Sequence, residues 1–339
     1  MAKVQLPVLF NEYQSSLNKF TKDFYEKLND PLYITHKYFL GWINEKGNPD
    51  NVTGKSFRPS IMMLINESLG GNQKNILPLA MSIELFHNFS LIHDDIEDKD
   101  EMRRNRKTVW KIWGEGIGII SGSAMHALAS KALDNLEISD KSKLIHLRGL
   151  INKTCIAVIE GQYLDINFET KKEIKVDDYL DMIDKKTGAL IKTSVILGAM
   201  LESPHNNTTK IFSEIGKNFG HMFQIKDDVL GIWGKEEFGK PIGSDIIKKK
   251  KSFPILKLIQ ISDYSDKNKI DEIFSNNINK KDKDVILELM NKYKVEKYCN
   301  SILNEKYNIL ISLIEELDIK VKYKKMLLEI NSFLMLRTK

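Results

Sequence analysis

The sequence predicts an all-α protein, and three observations indicate that fold class. Apolar residues recur at spacings of three and four, as in residues 8–28, where Leu9, Tyr13 and Leu17 share one helix face. No segment keeps the alternation of apolar and polar residues that a half-buried strand requires, and no strand–helix–strand rhythm appears. No linker is long enough to separate domains. We therefore expect residues 1–339 to form a single domain, a helical bundle around one core.

The predicted helices are separated by residues that favour turns. Pro31 opens the second helix, and Gly70-Gly71-Asn72 ends the helix that contains the apolar run 61–69. The glycine-rich stretch 114–122 lacks the motifs of nucleotide-binding loops, so it is interpreted as the approach to a helix that begins at 123. The same periodicity predicts helices over residues 74–98, 123–136, 141–166, 176–202, 208–231 and 252–262, with three or four more between 266 and 339.

Composition restricts the possible classes of protein. Of the 339 residues, 42% are hydrophobic and 29% are charged, a balance typical of a globular chain with a large core. The net charge of +5 is too small to indicate a nucleic-acid partner. No segment reaches about 18 uninterrupted apolar residues, so we expect no transmembrane helix. Cys155 and Cys299 lie far apart without metal-ligand spacing, which favours free thiols and a cytoplasmic location.

Two clusters of aspartates end apolar segments that are distant in sequence. The first contains Asp94, Asp95 and Asp98, and the second contains Asp227 and Asp228. Asp94 and Asp98 are one helical turn apart, and carboxylates at that spacing repel each other unless a cation neutralises them. One such cluster alone is as often a solvated helix end. Two clusters on two apolar helices favour a site between facing helices, with oxygen ligands suited to Mg²⁺.

A series of polar motifs around these clusters resembles the trans-isoprenyl diphosphate synthases. The matches run in the family's order from Gly54 to Pro254. They are Gly54-Lys55-x-x-Arg58-Pro59, His87 with Asp94-Asp95-x-x-Asp98, Arg103-Arg104, Gly161-Gln162-x-x-Asp165, Lys186-Thr187, Phe223-Gln224-x-x-Asp227-Asp228, Gly239-Lys240-Pro241-x-Gly243-x-Asp245 and Lys250-x-Ser252-x-Pro254. Each motif alone is weak, but eight in order are specific. The resemblance implies a helical bundle of the isoprenoid synthase type with a central cavity.

Four residues depart from the family's pattern. Thr53 stands where a first glycine is usual, and Asn105 and Lys107 alter the turn after the arginine pair; we expect these changes to matter little. Gly231 replaces the last aspartate of the second cluster and leaves that cluster with two carboxylates. Two carboxylates remain sufficient, because Mg²⁺ readily keeps water ligands.

The resemblance implies a reaction in which an allylic diphosphate ionises by losing pyrophosphate. The double bond of isopentenyl diphosphate then attacks the carbocation, and a proton is lost. About three Mg²⁺ ions are expected, since the main requirement is to neutralise the charge on the leaving diphosphate. The partners would be these two small diphosphates and no nucleic acid. A homodimer is typical of the family, although the sequence does not indicate which helix face would form it.

The resemblance also assigns a role to each motif residue. The metal ligands would be Asp94, Asp95, Asp98, Asp227 and Asp228, the last acting through water or behind the direct ligands. The leaving pyrophosphate would be contacted by Arg103, Lys186, Lys240 and Lys250. The cation would be stabilised by the dipoles of Thr187 and Gln224, with Gln162 and Asp165 orienting Lys186. Isopentenyl diphosphate must not ionise, so fixed cations would bind it at Lys55, Arg58, His87 and Arg104.

By the same resemblance, Phe86, Phe89 and Ser90, which precede the first acidic cluster, are expected to determine product length. Phe89 lies five residues before Asp94, about 7.5 Å along the helix, and Phe86 lies three residues further. A bulky Phe89 with Ser90 rather than an aromatic beside it resembles the archaeal-type pattern for a twenty-carbon product. We therefore predict geranylgeranyl diphosphate, with farnesyl or geranylfarnesyl diphosphate as alternatives. In the other interpretation, both rings only pack the core.

Two other functions remain open at the level of sequence. A terpene cyclase also ionises an allylic diphosphate at an aspartate-rich cluster, but it needs no pocket for isopentenyl diphosphate, so Lys55, Arg58 and Arg104 count against it. A non-catalytic partner subunit on the same scaffold would have no need of both acidic clusters and Lys186. The sequence therefore favours a prenyltransferase of isoprenoid biosynthesis.

Overall fold

Helices dominate the architecture. A computed structural model describes residues 5–171, 173–202, 206–234 and 242–337. Within those ranges, strand structure is limited to one hairpin of two short antiparallel strands and an isolated bridge between Ile43 and Pro49. The predicted all-α fold class is therefore confirmed.

The elements follow one another in a simple order. Up to residue 170 they are α1 Leu9–Tyr25, α2 Tyr33–Phe39, α3 Phe57–Ser68, α4 Gln73–Glu97, β1 Met102–Arg103, β2 Arg106–Lys107, α5 Val109–Trp113, α6 Glu115–Ala132, a 3₁₀ turn Leu133–Asn135, and α7 Lys141–Thr170. They continue with α8 Val176–Ile183, a π-helix Asp184–Gly188, α9 Ala189–Glu202, α10 Asn206–Trp233, α11 Ser244–Ile247, α12 Phe253–Ile261, α13 Tyr264–Ser275, α14 Lys280–Lys292, α15 Val295–Glu316 and α16 Val321–Leu336.

The chain divides into two compact units. The amino-terminal unit contains residues 8–152 and 194–209. The carboxy-terminal unit contains residues 153–193 and 210–339 together with the start of the chain. The single domain expected over residues 1–339 stays a prediction.

Helix α4 is the centre of the amino-terminal unit. It packs against α1, α3 and α6, so its side chains are buried around most of its circumference. This explains why the sequence of α4 is apolar on nearly every face rather than along one stripe. The Asn72 side chain accepts a hydrogen bond from the Lys74 N–H at its start, and Asp98 caps its end, close to the predicted bounds.

Helix α6 begins eight residues earlier than predicted, at Glu115 instead of 123. Glycine lowers helix propensity, which made the stretch look like an approach to a helix. The structure shows why glycines occur there. A β-carbon at Gly118 would lie 2.8 Å from the Ile96 side chain, and one at Gly122 would overlap the His93 ring. Close packing against α4 therefore requires small residues at these positions.

The predicted helix over 176–202 is helical throughout, but the structure shows a π-helical segment inside it, between α8 and α9. In the carboxy-terminal unit, α12 packs against α8 and α15, and α15 packs against α16. Fully buried rings, among them Tyr179, Phe219 and Phe253, fill the core of this unit.

Two further predictions can be compared with the structure. Among the described residues, no helix has both the length and the apolar character needed to cross a membrane. Cys155 and Cys299 are both buried, and neither forms a disulfide bond within the part of the chain that the structure describes. The cytoplasmic location remains a prediction.

Candidate functional site

The first acidic cluster lies at the end of α4 and contains two kinds of carboxylate. The Asp94 side chain is 19% exposed and Asp98 is exposed, whereas Asp95 is 1% exposed. The last turn of a helix carries a partial negative charge, so three aspartates there are unfavourable without a cation. This placement supports a functional rather than a structural origin for the cluster.

Arg103 supplies a positive charge to the first cluster. Its Nε donates to Asp95 Oδ1 at 2.6 Å, and its Nη2 lies 3.4 Å from Asp94 Oδ2. Burial raises the pKa of Asp95 to about 6, although the Arg103 guanidinium opposes that rise. The other oxygen, Asp95 Oδ2, is buried without a hydrogen-bond partner among the described residues. Arg103, predicted to reach the leaving group, thus contacts the carboxylates themselves.

A two-residue hairpin turn positions Arg104. The strands β1 and β2 are joined by Arg104 and Asn105, whose φ angles are +51° and +60°. Two successive left-handed residues are typical of a type I′ turn, and asparagine tolerates this conformation better than most residues. The departure at Asn105 therefore preserves the turn. The Arg104 guanidinium lies so close to Gly54 that a β-carbon there would be 2.8 Å from Nη2, so a larger residue at 54 would require the guanidinium to move.

Arg58 and His87 form a hydrogen-bonded pair. Arg58 Nη1 donates to His87 Nε2 at 3.0 Å, so the ring accepts at that nitrogen and is neutral. Burial and the neighbouring Arg58 charge hold the pKa of His87 well below its ordinary value. His87 therefore orients Arg58 instead of adding a positive charge of its own. Lys55, on the preceding loop, is exposed.

Glu84 belongs to the same basic region, and sequence reasoning missed it. It lies one turn before His87 on α4 and accepts a hydrogen bond from Ser56 at 3.3 Å. Burial raises the pKa of Glu84, while Arg104 and Arg58 lower it. With Gly54, Ser56 and Arg104 it lines a cleft. The only feature of the sequence that could have indicated Glu84 is that it is an acidic residue within the apolar run of α4.

Phe86 and Phe89 are both buried, and a histidine packs against them. Their ring centroids are 6.1 Å apart, in an edge-to-face arrangement. His126 of α6 lies 5.1 Å from Phe86 and 4.9 Å from Phe89, so the three rings form one aromatic cluster. Ser90 donates its hydroxyl to the His87 carbonyl at 2.8 Å. His126 was missed because nothing in its local sequence distinguishes it.

The two aspartates of the second cluster have different surroundings. The Asp227 side chain is 36% exposed and lies 3.6 Å from Arg337 Nη2. Asp228 is 1% exposed and accepts hydrogen bonds from the Tyr179 hydroxyl, the Phe253 N–H at 2.9 Å and Gln224 Nε2 at 3.0 Å. Burial raises the pKa of Asp228 to about 6, against the opposing effects of the nearby Lys250 and of the bonds from Tyr179 and Phe253.

The π-helix presents Lys186 and Thr187. Lys186 Nζ donates to Asp165 Oδ2 at 2.5 Å, as the sequence predicts, and Thr187 donates its hydroxyl to Gln224 Oε1 at 2.8 Å. Gly161 on α7 has no room for a side chain because Lys186 backbone atoms occupy that space. Short π segments inside α-helices occur frequently at functional sites.

Two lysines remain from the predicted set. Desolvation lowers the pKa of Lys250, but nearby negative charge raises it by a larger amount, so its pKa lies above the ordinary value. That charge comes from the carboxylates of Asp228, Asp245, Asp165 and Asp227. Lys250 is therefore a protonated cation beside the second cluster. Lys240 lies outside the described residues.

The space beside Gly231 is filled by another acid. A side chain at 231 would overlap the carboxylate of Asp245, on α11. Ser244 donates its hydroxyl to the Gly231 carbonyl at 3.1 Å, and the Gly243 N–H donates to the Ile232 carbonyl at 3.0 Å. Glycine at 231 thus lets α11 approach α10 and places Asp245 where the family's third aspartate would project.

Restoring the family's aspartate should therefore impair the protein. We expect Gly231→Asp to lower kcat on the order of tenfold or more, because the new side chain would displace Asp245 and crowd two negative charges together. Gly149→Asp is a matched control, since a β-carbon at Gly149 on α7 would meet no other atom within 4 Å. Steady-state kinetics check this, and a more active Gly231→Asp variant would contradict it.

The donor set suits Mg²⁺ bound together with a substrate. Within the described ranges, no three His, Cys, Asp or Glu side chains are already assembled to hold an ion. Mg²⁺ typically binds one or two carboxylates and completes its shell with water and substrate phosphates. Asp94 and Asp98, one turn apart, fit that requirement, and so does Asp227.

Comparisons with known proteins agree with this geometry. The polyprenyl synthetase family model matches residues 48–292. A (2E,6E)-farnesyl diphosphate synthase of Mycobacterium tuberculosis is 37% identical over 232 residues, which are 68% of this chain and 64% of that protein. A geranylgeranyl diphosphate synthase of Saccharolobus solfataricus is 30% identical over 329 residues, 95% of each chain.

Solved structures show the same likeness over nearly the whole chain. A geranylgeranyl pyrophosphate synthetase from Pyrococcus horikoshii has a TM-score of 0.86 at 31% identity and covers 97% of this chain and 98% of its own. A polyprenyl synthetase from Streptomyces coelicolor has a TM-score of 0.89 at 27% identity, with 98% and 100% covered. The family model and these full-length similarities place the chain in the polyprenyl synthetase family.

Proposed function

We propose that the protein is a prenyltransferase that condenses isopentenyl diphosphate with an allylic diphosphate. The observation that carries this proposal is that one helix, α4, takes part in two chemically different anion sites. Its end carries Asp94 and Asp98, whereas two turns earlier its His87 is hydrogen-bonded to Arg58 of α3. Acidic residues bind a diphosphate only through metal ions, and a guanidinium binds one directly. Two diphosphates with different fates would use two such sites.

The residues around the leaving group act by charge. Mg²⁺ at Asp94 and Asp98, and Mg²⁺ at Asp227, would supply Lewis-acid stabilisation to a departing diphosphate. The C–O bond of the allylic substrate breaks, and its electron pair leaves with the diphosphate. Lys186 and the protonated Lys250, with Lys240 as a further proposed contact, would neutralise that charge. Asp95 holds Arg103 at the edge of the cluster.

Isopentenyl diphosphate, the second substrate, would be bound by positively charged side chains instead of metal ions. Arg58, oriented by neutral His87, and Arg104, held by its hairpin turn, bind the diphosphate of isopentenyl diphosphate together with Lys55. Its double bond then attacks the allylic carbon, and the released diphosphate accepts the proton that is lost. The Thr187–Gln224 pair directs oxygen dipoles at the cation without offering a strong nucleophile.

Geranylgeranyl diphosphate is the proposed product. Support comes from the buried Phe86, Phe89 and His126 cluster and from the named geranylgeranyl diphosphate synthases among the relatives. Farnesyl diphosphate synthases also occur among them, so farnesyl diphosphate is the second candidate.

A test against the cyclase alternative is the release of pyrophosphate from an allylic diphosphate with and without isopentenyl diphosphate. The proposal expects rapid release only when both substrates and Mg²⁺ are present. Equal release without isopentenyl diphosphate, with a hydrocarbon as product, would favour the cyclase.

We also propose a homodimer formed through α7. An exposed apolar stripe on this helix, at spacings of three and four, supports it: Ile156 is 58% exposed, Ile159 54%, Tyr163 67% and Ile166 42%. Such a stripe on one helix face marks a surface that is covered in an assembly. A second copy of the chain would cover it.

Charge in this stripe should weaken the dimer. Ile159→Asp would bury a carboxylate in an apolar interface, so the dissociation constant should rise on the order of a hundredfold. Val321→Asp is the control, because Val321 is 67% exposed and lies outside α7. Sedimentation across a concentration series checks this; an unchanged association of Ile159→Asp would contradict the interface.

A further inference from the structure

We propose that Tyr179 is a positioning residue for the second acidic cluster, acting through Asp228. This inference rests on the proposed function, because it concerns how the residues that face the leaving diphosphate are held in place. It gives Asp228 a role different from that of a metal ligand. Asp228 would anchor the surrounding segments, and Asp227 would be the residue that reaches the metal.

Tyr179 is built into the core of the carboxy-terminal unit. It is 1% exposed on α8, and its ring packs against Phe253 with centroids 6.2 Å apart. Burial holds the pKa of its phenol well above the ordinary value, so the hydroxyl remains a donor. That hydroxyl donates to Asp228 Oδ2. Burying a phenol and a carboxylate costs free energy unless the two groups form a hydrogen bond with each other.

The Asp228 carboxylate is occupied by protein donors. The Tyr179 hydroxyl and the Phe253 N–H both donate to Oδ2, and Gln224 Nε2 donates to Oδ1. A carboxylate offers about four lone-pair directions, so three are already used within the chain. With 1% exposure, Asp228 has little surface left for an ion.

These bonds connect four segments of one unit. Asp228 joins α8 through Tyr179, the start of α12 through the Phe253 N–H, and the π-helix through Gln224 and Thr187. Consecutive residues of a helix differ by about 100° in direction, so fixing Asp228 fixes where Asp227 points. Tyr179 therefore sets the orientation of Asp227 and of the Thr187–Gln224 pair without touching a substrate.

The first test is Tyr179→Phe, which removes one hydroxyl and keeps the ring. We expect kcat to fall on the order of ten- to a hundredfold, as for the loss of a hydrogen bond to a charged group. The KM for isopentenyl diphosphate should stay within about twofold of wild type, because none of its proposed ligands changes, whereas the half-saturating Mg²⁺ concentration should rise, because Asp227 loses the contact that orients it. An unchanged kcat would overturn the proposal. So would an unchanged half-saturating Mg²⁺ concentration, since Asp227 would then be held in place without Tyr179.

Tyr13→Phe is the matched control. Tyr13 is also 1% exposed, and its hydroxyl donates to a carboxylate, Glu67 Oε2, at 2.7 Å. Both variants should lower the unfolding midpoint by a few degrees. Only Tyr179→Phe should lower kcat. If Tyr13→Phe lowers kcat to the same extent, the effect of Tyr179 is one of stability alone and the positioning role is wrong.

A second test needs no activity. The midpoints of the metal-free protein are measured for Tyr179→Phe, Asp228→Asn and the double variant. The proposal expects the double variant to lose clearly less than the two single losses added together, because both remove the same contact. Strict additivity would overturn it. This result does not depend on substrates, so failure of the proposed prenyltransferase activity would be distinguishable from failure of the Tyr179 contact.

Discussion

Asp94→Ala is expected to lower kcat about 10²- to 10³-fold or more while the protein stays folded. The substitution would remove a ligand to the metal that stabilises the leaving diphosphate, and that stabilisation is felt mainly in the transition state. Asp94 is also partly exposed at the end of a helix, where negative charge is disfavoured, so folding should suffer little. Single-turnover kinetics with an allylic diphosphate and isopentenyl diphosphate measure this effect.

Two other variants serve as comparisons for the Asp94→Ala result. Asp134→Ala removes an exposed aspartate that pairs with Arg148, and kcat should not change. Arg58→Ala should act mainly on the KM for isopentenyl diphosphate, because that diphosphate is bound alike in the ground and transition states. If Asp94→Ala changed only the KM for isopentenyl diphosphate, the two diphosphate sites would have been assigned the wrong way round.

Phe89→Ala is expected to lengthen the product to twenty-five carbons or more, and Phe86→Ala with it should extend the product further. Each change removes a buried ring from the cluster with His126 and leaves a cavity into which a prenyl chain can grow. Mass spectrometry of the products, with isopentenyl diphosphate in excess, reads the chain length directly.

Phe10→Ala is the control for the loss of a buried ring, since Phe10 is 4% exposed on α1 and lies outside this cluster. It should cost stability without changing product length. An unchanged product from a folded, active Phe86→Ala and Phe89→Ala double variant would show that this face of α4 does not limit the chain. The two rings would then serve only the core.

The parts of the fold predicted correctly are those with local signals. Helix α4 was identified because its apolar run ends in an acidic cluster and follows the break at Gly70-Gly71-Asn72. The start of α6 was misjudged because Gly116, Gly118 and Gly122 weaken local propensity, whereas the structure favours a helix there through packing against α4. The π-helix was missed because periodicity does not distinguish it from the α-helices on either side.

The candidate site residues that could be predicted from the sequence are those that occupy motif positions. The contacts between motifs depend on the fold, and the sequence does not encode them locally. The hydrogen bond from Tyr179 to Asp228 joins residues 49 positions apart, and Arg337 reaches Asp227 from 110 positions away. Gly231 looked like a lost ligand in the sequence, but the structure shows that it makes room for Asp245.

The most direct measurement of the central claim is incubation of the purified protein with isopentenyl diphosphate, farnesyl diphosphate and Mg²⁺, followed by mass analysis of the product. The account predicts geranylgeranyl diphosphate, formed only when both diphosphates are present and abolished by excess chelator. A hydrocarbon formed from farnesyl diphosphate alone, or elongation that continues undiminished with the metal chelated, would contradict it.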